Sequence, residues 1–121
     1  MISYSHGAFS ARFIFQYLRE DGSCPFEKWF ENLRDTMGKA IIAARIEKMR
    51  LGHAGNEKSV GGGVYESKIY FGPGYRLYFG NEGTQRILLL CGGTKKRQSN
   101  DIRLAQLFWK DYLEHRYAKE K

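Results

Sequence analysis

The sequence contains little cysteine, little proline and no long apolar run, and each shortage excludes a class of protein. Its 121 residues include two cysteines and two prolines, so neither a disulfide framework nor a proline-rich linker is indicated. No apolar stretch approaches the roughly 18 residues of a membrane-spanning helix, and the first residues lack the apolar segment of a secretory signal. We therefore expect a single cytoplasmic domain over residues 1–121, with no membrane partner.

Recognisable metal and nucleotide sites are also missing from the sequence. The histidines, His6, His53 and His115, lack the spacing of metal ligands or of a catalytic arrangement. The glycine clusters lack the pattern of a phosphate-binding Walker loop. Cys91 lies in the apolar run ILLLC and is interpreted as a small buried side chain. We expect no metal and no cofactor.

Positive charge is what the chain has in excess. Its 20 Lys and Arg residues against 13 Asp and Glu give a net charge of +7, which favours a polyanionic partner through phosphate neutralisation and counterion release. Net charge alone does not distinguish RNA, DNA and an acidic protein. The hydrophobic content of 42% is sufficient for a core without disulfide or metal staples.

The first half of the chain predicts one strand and two helices. The segment SARFIFQYL indicates a strand with Phe13, Phe15 and Tyr17 on one side. Pro25 suits a first helical position, and apolar spacing before and after Gly38 predicts two helices in an antiparallel hairpin. The two apolar stripes comprise Phe26, Trp29, Phe30, Leu33 and Met37, and then Ile41, Ile42, Ile46 and Met49.

The second half predicts a loop and three strands. Residues 52–63, GHAGNEKSVGGG, have no apolar periodicity and indicate a solvated connector. Strands are expected at about 64–71, 75–80 and 86–92, the last in a covered central position because it is continuously apolar.

A final helix is expected from Asn100, with Ser99, Asn100 and Asp101 as capping candidates and a solvated tail, RYAKEK. Its packing stripe comprises Ile102, Ala105, Trp109, Tyr112 and Leu113. The expected fold is therefore α+β: a small, twisted, mainly antiparallel sheet packed against an N-terminal helical hairpin, with a C-terminal helix.

The segment FGPGY predicts the register of a β-hairpin. A three-residue loop over 72–74 pairs Phe71 with Tyr75, and this register opposes Tyr70 to Arg76. One face then carries the expected core residues, namely Ile69, Phe71, Tyr75, Leu77 and Phe79. The other face carries Glu66, Lys68, Tyr70, Arg76 and Tyr78. Cations and aromatic rings together suit phosphates and unpaired bases, although such clusters are also common as ordinary solvated surface.

Four short motifs follow one another along the chain: PF..W, GPGYR.Y, LL.GG.K..Q and DI..A. The ordered series resembles the RelE/ParE superfamily of toxin–antitoxin toxins, and within it the HigB-like, or addiction-module killer, branch. The resemblance extends from the segment PFEKWFENLRD through Ala105 and Trp109. It implies a small toxin that a cognate antitoxin neutralises and that often cleaves mRNA on the ribosome.

In RNA-cleaving members of this superfamily, the ribose 2′-OH attacks the adjacent phosphate without a metal. The resemblance implies catalytic roles for Lys68, Arg76 and Lys95, where Arg76 matches the arginine of GYR and Lys95 the lysine of GG.K. Arginine suits a phosphate whose charge grows in the transition state, and lysine can bind phosphate or transfer a proton. The residues assigned to RNA binding are Tyr70, Tyr78, Lys96, Arg97 and Gln98, of which Gln98 is alternatively a helix cap.

Two segments depart from the pattern of these relatives. Glu66-Ser67-Lys68 replaces ELR, and residues 93–98, GTKKRQ, replace GDKS.Q. Lysine at position 68 keeps the charge but not a bidentate contact. The aspartate beside Lys95 is lost, while Lys96 and Arg97 add phosphate attraction.

The fold implied by the resemblance leaves other functions open. ParE-like relatives inhibit DNA gyrase by binding it, and a degenerate toxin would bind antitoxin or nucleic acid without cleaving anything. The expected partners are therefore a cognate antitoxin and mRNA on the ribosome, with DNA gyrase as the alternative.

Overall fold

The computed structural model describes residues 11–53 and 55–121, so the expectation for His6 lies outside the described residues. Six strands form one sheet in the order β2-β3-β4-β5-β1-β6. The strands are β1 Phe13–Tyr17, β2 Glu57–Gly61, β3 Val64–Ile69, β4 Tyr75–Glu82, β5 Arg86–Thr94 and β6 Ala118–Glu120, and the helices are α1 Pro25–Glu31, α2 Thr36–Arg50 and α3 Gln98–His115. In the described chain β1 and β5 pair in parallel, and the other strand pairs are antiparallel. The predicted α+β fold is confirmed.

Helices cover both faces of the sheet. The N-terminal helices α1 and α2 bury Phe26, Ile42, Ile46 and Met49 against Ile69, Leu77, Phe79 and Leu89. On the opposite face, α3 buries Ala105, Phe108, Trp109 and Tyr112 against Val64, Tyr78, Leu88 and Leu90. This double coverage explains why β5 is continuously apolar, as expected for a central strand. Within the described ranges, no helix is long and apolar enough to cross a membrane.

The break between α1 and α2 comes earlier than the apolar spacing predicts. The α1 helix ends at Glu31, and Asp35 caps α2 by accepting a hydrogen bond from the Gly38 amide at 2.8 Å. The same carboxylate accepts a hydrogen bond from the Tyr75 hydroxyl at 2.8 Å, which ties the cap to β4. Because the new helix starts in a different phase, Met37 does not continue the stripe of α1 and is 62% exposed.

Two edge strands contradict the sequence-based expectations. The predicted connector over 52–63 contains β2, which pairs with β3, and the predicted solvated tail contains β6, which pairs with β1. Neither strand has an alternating apolar pattern, and β2 is largely exposed. Backbone hydrogen bonds to a neighbouring strand are sufficient to form an edge strand, so the side-chain pattern gave no signal.

The final helix starts before the predicted position. A 3₁₀ turn, Lys95–Arg97, follows β5 directly and continues into α3 at Gln98. Ser99, Asn100 and Asp101 therefore lie inside the helix, and the capping prediction for them is wrong. Leu113 is also wrongly assigned to the packing stripe, because it is 44% exposed.

The β3–β4 hairpin differs from its predicted register by two residues. Ile69 pairs with Tyr75 and Lys68 with Arg76, so the connection has the five residues 70–74 instead of three. The chain turns early because the Phe71 amide donates to the Ile69 carbonyl and the Gly74 amide donates to the Phe71 carbonyl. A shift of two residues leaves each strand side chain on its predicted face.

Candidate functional site

The Gly74 carbonyl joins two of the residues to which the resemblance gives catalytic roles. It accepts hydrogen bonds from the Lys95 amide at 2.9 Å and from Arg76 Nη1 at 2.9 Å. Gly74 has φ +78, and a Cβ atom there would lie 3.3 Å from both Arg76 Nη1 and the Lys95 Cβ. The hairpin connection and the turn after β5 therefore bring Arg76 and Lys95 side by side.

A cluster of buried polar side chains lies behind this junction, where α3 begins over the ends of β3, β4 and β5. We call it the buried polar cluster; its members are Glu66, Arg76, Tyr78, Gln98 and Asp101. Glu66 is fully buried, and its Oε2 accepts a hydrogen bond from Gln98 Nε2 at 2.8 Å. The same oxygen lies 3.6 Å from Arg76 Nε, and the Arg76 side chain is only 7% exposed. Arg76 is thus an ion-pair partner of a buried carboxylate as well as a candidate phosphate ligand.

Burial removes Tyr78 from the predicted RNA surface. Its side chain has no exposed area, because α3 covers this face of the sheet. Burial and the neighbouring Glu66 carboxylate raise the pKa of Tyr78 above its ordinary value. The prediction that Tyr78 stacks on a base is therefore corrected: the ring contributes to packing under α3.

Gln98 also points inward. Its amide donates to Glu66 and so ties the first residue of α3 to β3. Gln98 does not cap α3, because it is the first residue of the helix and Arg97 occupies the N-cap position. Its role in binding RNA stays a prediction.

Asp101 belongs to the cluster through its contact with the end of β5. It is 7% exposed, and a Cβ atom on Gly93 would lie 1.9 Å from its Oδ2. Only glycine fits at position 93 without displacing this carboxylate or the backbone. Burial raises the pKa of Asp101, against the opposing effect of Arg97, whose Nε lies 4.0 Å from Oδ1.

Unsatisfied hydrogen-bonding atoms are concentrated in this cluster. Five buried side-chain atoms lack a hydrogen-bond partner in the described part of the chain, and four of them are Glu66 Oε1, Arg76 Nε, Tyr78 Oη and Asp101 Oδ2. Buried polar groups in folded proteins are normally hydrogen-bonded, and a role in a functional site is one explanation for exceptions. The cluster is therefore a better site candidate than its individual residues indicate from the sequence.

The raised pKa of Asp101 has a testable consequence for stability. A carboxyl group whose pKa is higher in the folded state stabilises the fold most at pH values below its unfolded pKa, and this contribution is lost as pH rises through the folded pKa. We expect Asp101→Asn to unfold at a higher urea concentration than the wild type at pH 7, with the difference shrinking as pH falls towards 4.

Urea unfolding of both proteins between pH 4 and 8 measures this difference. Asp35→Asn is the matched control, because hydrogen bonds from the Gly38 amide and the Tyr75 hydroxyl lower the pKa of Asp35. Its change in stability at pH 7 should have the opposite sign: Asp35→Asn should unfold at a lower urea concentration than the wild type. Acidification that weakens the wild type relative to Asp101→Asn would contradict the expected direction.

An exposed basic rim surrounds the Gly74 junction. Lys95, Lys96 and Arg97 are exposed, and Lys68 is half-buried. Tyr70 lies in the same connection as Gly74 and is 77% exposed. Lys68 faces Arg76 across the two strands, a like-charge pair that the buried Glu66 carboxylate offsets.

A possible set of metal ligands lies away from this junction. Asp111, Glu114 and His115 are close enough to one another to ligate an ion, and they lie in the last two turns of α3. Asp111 already accepts a hydrogen bond from the Tyr17 hydroxyl at 2.6 Å and contacts His115. These contacts account for the group without an ion.

The strand period predicts the face of Glu66 but not its role, and the position of Asp101 before an apolar stripe predicts a cap, not a buried carboxylate. Both residues nevertheless stand at the start of short segments that matter for the resemblance, since Glu66 begins ESK and Asp101 begins DI..A. An acidic residue in a strand whose other residues are mostly apolar is a further sign that Glu66 pairs with a cation, because carboxylates are rarely buried without a partner.

Comparison with known proteins finds a relative in Haemophilus influenzae, described as an uncharacterized protein. It is 42% identical over 82 residues, which cover 68% of this chain and 83% of the relative. No family model matches the chain, and no solved structure matches it. Identity at this level over most of both sequences shows that the chain belongs to the same family as the Haemophilus influenzae protein.

Proposed function

We propose that this protein is the toxin of a type II toxin–antitoxin system, of the HigB-like branch of the RelE/ParE superfamily, and that it cleaves mRNA on the ribosome. The observation that supports this most is the Gly74 junction. Arg76 in β4 matches the motif GYR, and Lys95 in the turn after β5 matches GG.K. The Gly74 carbonyl accepts hydrogen bonds from Arg76 Nη1 and from the Lys95 backbone amide. A phosphate at this junction would be next to both.

The reaction needs three things from such a site. The 2′-OH loses a proton as its oxygen attacks phosphorus, the phosphate gains charge, and the 5′ oxygen takes a proton as its bond to phosphorus breaks. Contacts with Glu66 and Gly74 hold Arg76 in place before the reaction, and a guanidinium fixed in this way suits stabilisation of the growing charge. The Lys95 ammonium is exposed and has the mobility and the proton to serve the phosphate or the leaving oxygen.

The exposed rim supplies RNA binding in this proposal. Lys68, Lys96 and Arg97 attract phosphates, and the exposed ring of Tyr70 is available for stacking on a base. A cognate antitoxin would neutralise the toxin by covering this basic rim or preventing entry to the ribosome. The proposed location is the cytoplasm, where the ribosome is found.

Lys95→Ala tests the proposal with little risk to the fold. The Lys95 side chain is exposed, and the contact of this residue with Gly74 is made by its backbone amide. We expect mRNA cleavage by the purified toxin in a reconstituted translation reaction, read by primer extension, to fall about 10²- to 10³-fold. Urea unfolding should change by no more than about 0.5 kcal/mol.

Lys110→Ala is the matched control, because Lys110 is an exposed lysine on α3 outside the motifs. It should cleave like the wild type. Absence of cuts by the wild type with active ribosomes would refute the nuclease proposal, and equal cleavage by Lys95→Ala would refute the role of Lys95. Gyrase supercoiling assayed with the same proteins distinguishes the ParE-like alternative, which predicts inhibition without cleavage.

A further inference from the structure

Glu66 connects three parts of the candidate site although none of its surface is exposed. It lies in β3, its Oε2 accepts a hydrogen bond from Gln98 at the start of α3, and the same oxygen lies 3.6 Å from Arg76 Nε in β4. Since RNA cannot reach this carboxylate, any effect of Glu66 on cleavage must pass through the residues that it contacts.

The contacts of Arg76 show what such an effect would be. Its guanidinium is held at two places, with Nε beside the Glu66 carboxylate and Nη1 donating to the Gly74 carbonyl. The hydrogen bond at Nη1 and the opposite charge 3.6 Å from Nε together define the orientation of this planar group. Without the Glu66 charge, the Gly74 carbonyl would be the remaining anchor, and the opposing Lys68 would face Arg76 without a neutralising anion.

Gln98 extends the same connection to the exposed cations. It directly follows the Lys95–Arg97 turn, and its hydrogen bond to Glu66 ties that turn to the sheet. Glu66 therefore contacts Arg76 in β4 and Gln98, the first residue of α3, which directly follows the turn that carries Lys95.

We propose that Glu66 is a positioning residue, whose buried carboxylate orients Arg76 and, through Gln98, sets the place of Lys95 relative to it. This inference rests on the proposed function for its effect on cleavage. It also predicts a property of Arg76 that exists without any substrate, so the two can fail separately.

Glu66→Gln is the informative variant. Its amide oxygen can still accept the hydrogen bond from Gln98, and its volume is nearly unchanged, but the charge next to Arg76 is lost. We expect kcat for mRNA cleavage to fall on the order of 10- to 100-fold because the guanidinium is misplaced. KM should stay within about twofold, since the exposed rim that binds RNA is unaltered.

Glu47→Gln is the control for the loss of a carboxylate, because Glu47 is exposed on α2 and pairs with Arg50. It should leave kcat and KM unchanged. Circular dichroism establishes that each variant is folded. If Glu66→Gln does not fold, Gln98→Ala keeps the inference testable: it removes the link to α3 and leaves Glu66 beside Arg76, and kcat should again fall without a change in KM.

A second measurement does not depend on cleavage. Exchange of the Arg76 Nε proton with solvent, followed by NMR and assigned with Arg76→Lys, should be slow in the wild type and faster in Glu66→Gln. Unchanged exchange, or a normal kcat in a folded Glu66→Gln protein, would overturn the positioning role. If the wild type cleaves no mRNA, the proposed function fails, while the exchange rates still decide whether Glu66 orients Arg76.

Discussion

Arg76→Ala is expected to destabilise the domain by about 3–5 kcal/mol, the usual cost of removing one partner of a buried ion pair. Glu66 would remain fully buried without its cationic neighbour, since Arg76 Nε lies 3.6 Å from its Oε2. Truncation also removes the hydrogen bond from Nη1 to the Gly74 carbonyl. Urea unfolding at pH 7, compared with the wild type, measures the loss.

A double variant separates the ion pair from simple loss of packing. Glu66→Gln combined with Arg76→Met leaves no buried charge at either position and should be more stable than Arg76→Ala alone. Destabilisation below about 1 kcal/mol for Arg76→Ala would contradict the contribution of the buried ion pair to stability.

A loss of growth inhibition by Arg76→Ala would follow from unfolding as well as from lost chemistry, so that variant alone does not test catalysis. Lys95→Ala does, because its side chain is exposed and the backbone contact remains.

Trp109→Ala is expected to cost about 3–5 kcal/mol by leaving a large cavity under α3. Trp109 is 7% exposed and stacks on Tyr112 with a ring-centroid distance of 5.7 Å. Its ring lies directly on the backbone of β4, since a Cβ atom on Gly80 would be 2.3 Å from it. Chemical unfolding monitored by circular dichroism avoids reliance on tryptophan fluorescence.

Gly80→Ala tests the same contact from the other side. In the wild type the added methyl group meets the Trp109 ring and should cost about 1–3 kcal/mol. In a Trp109→Ala background the cost should be smaller, because the cavity accommodates the methyl group. Leu107→Ala is the control on α3: Leu107 is 64% exposed, and its loss should change stability by no more than about 0.5 kcal/mol. Additive effects of Gly80→Ala and Trp109→Ala would contradict the packing of the ring on Gly80.

Apolar periodicity was sufficient to predict the central strands, the three helices and the face on which each hairpin side chain lies. These features depend on neighbours along the chain, and the two-residue period of a strand preserved the faces even though the predicted register was shifted. The motifs also single out Arg76 and Lys95, which the fold brings together at the Gly74 carbonyl.

Tertiary structure alone decided what covers those faces. Packing of α3 on the sheet buried Tyr78 and turned Gln98 towards Glu66, which converted a predicted open surface into an exposed rim over a buried polar cluster. The edge strands β2 and β6 likewise depend on backbone pairing with distant segments. The physical reason is the same in each case, because burial and pairing are determined by residues far apart in the chain, whereas periodicity reports only on local geometry.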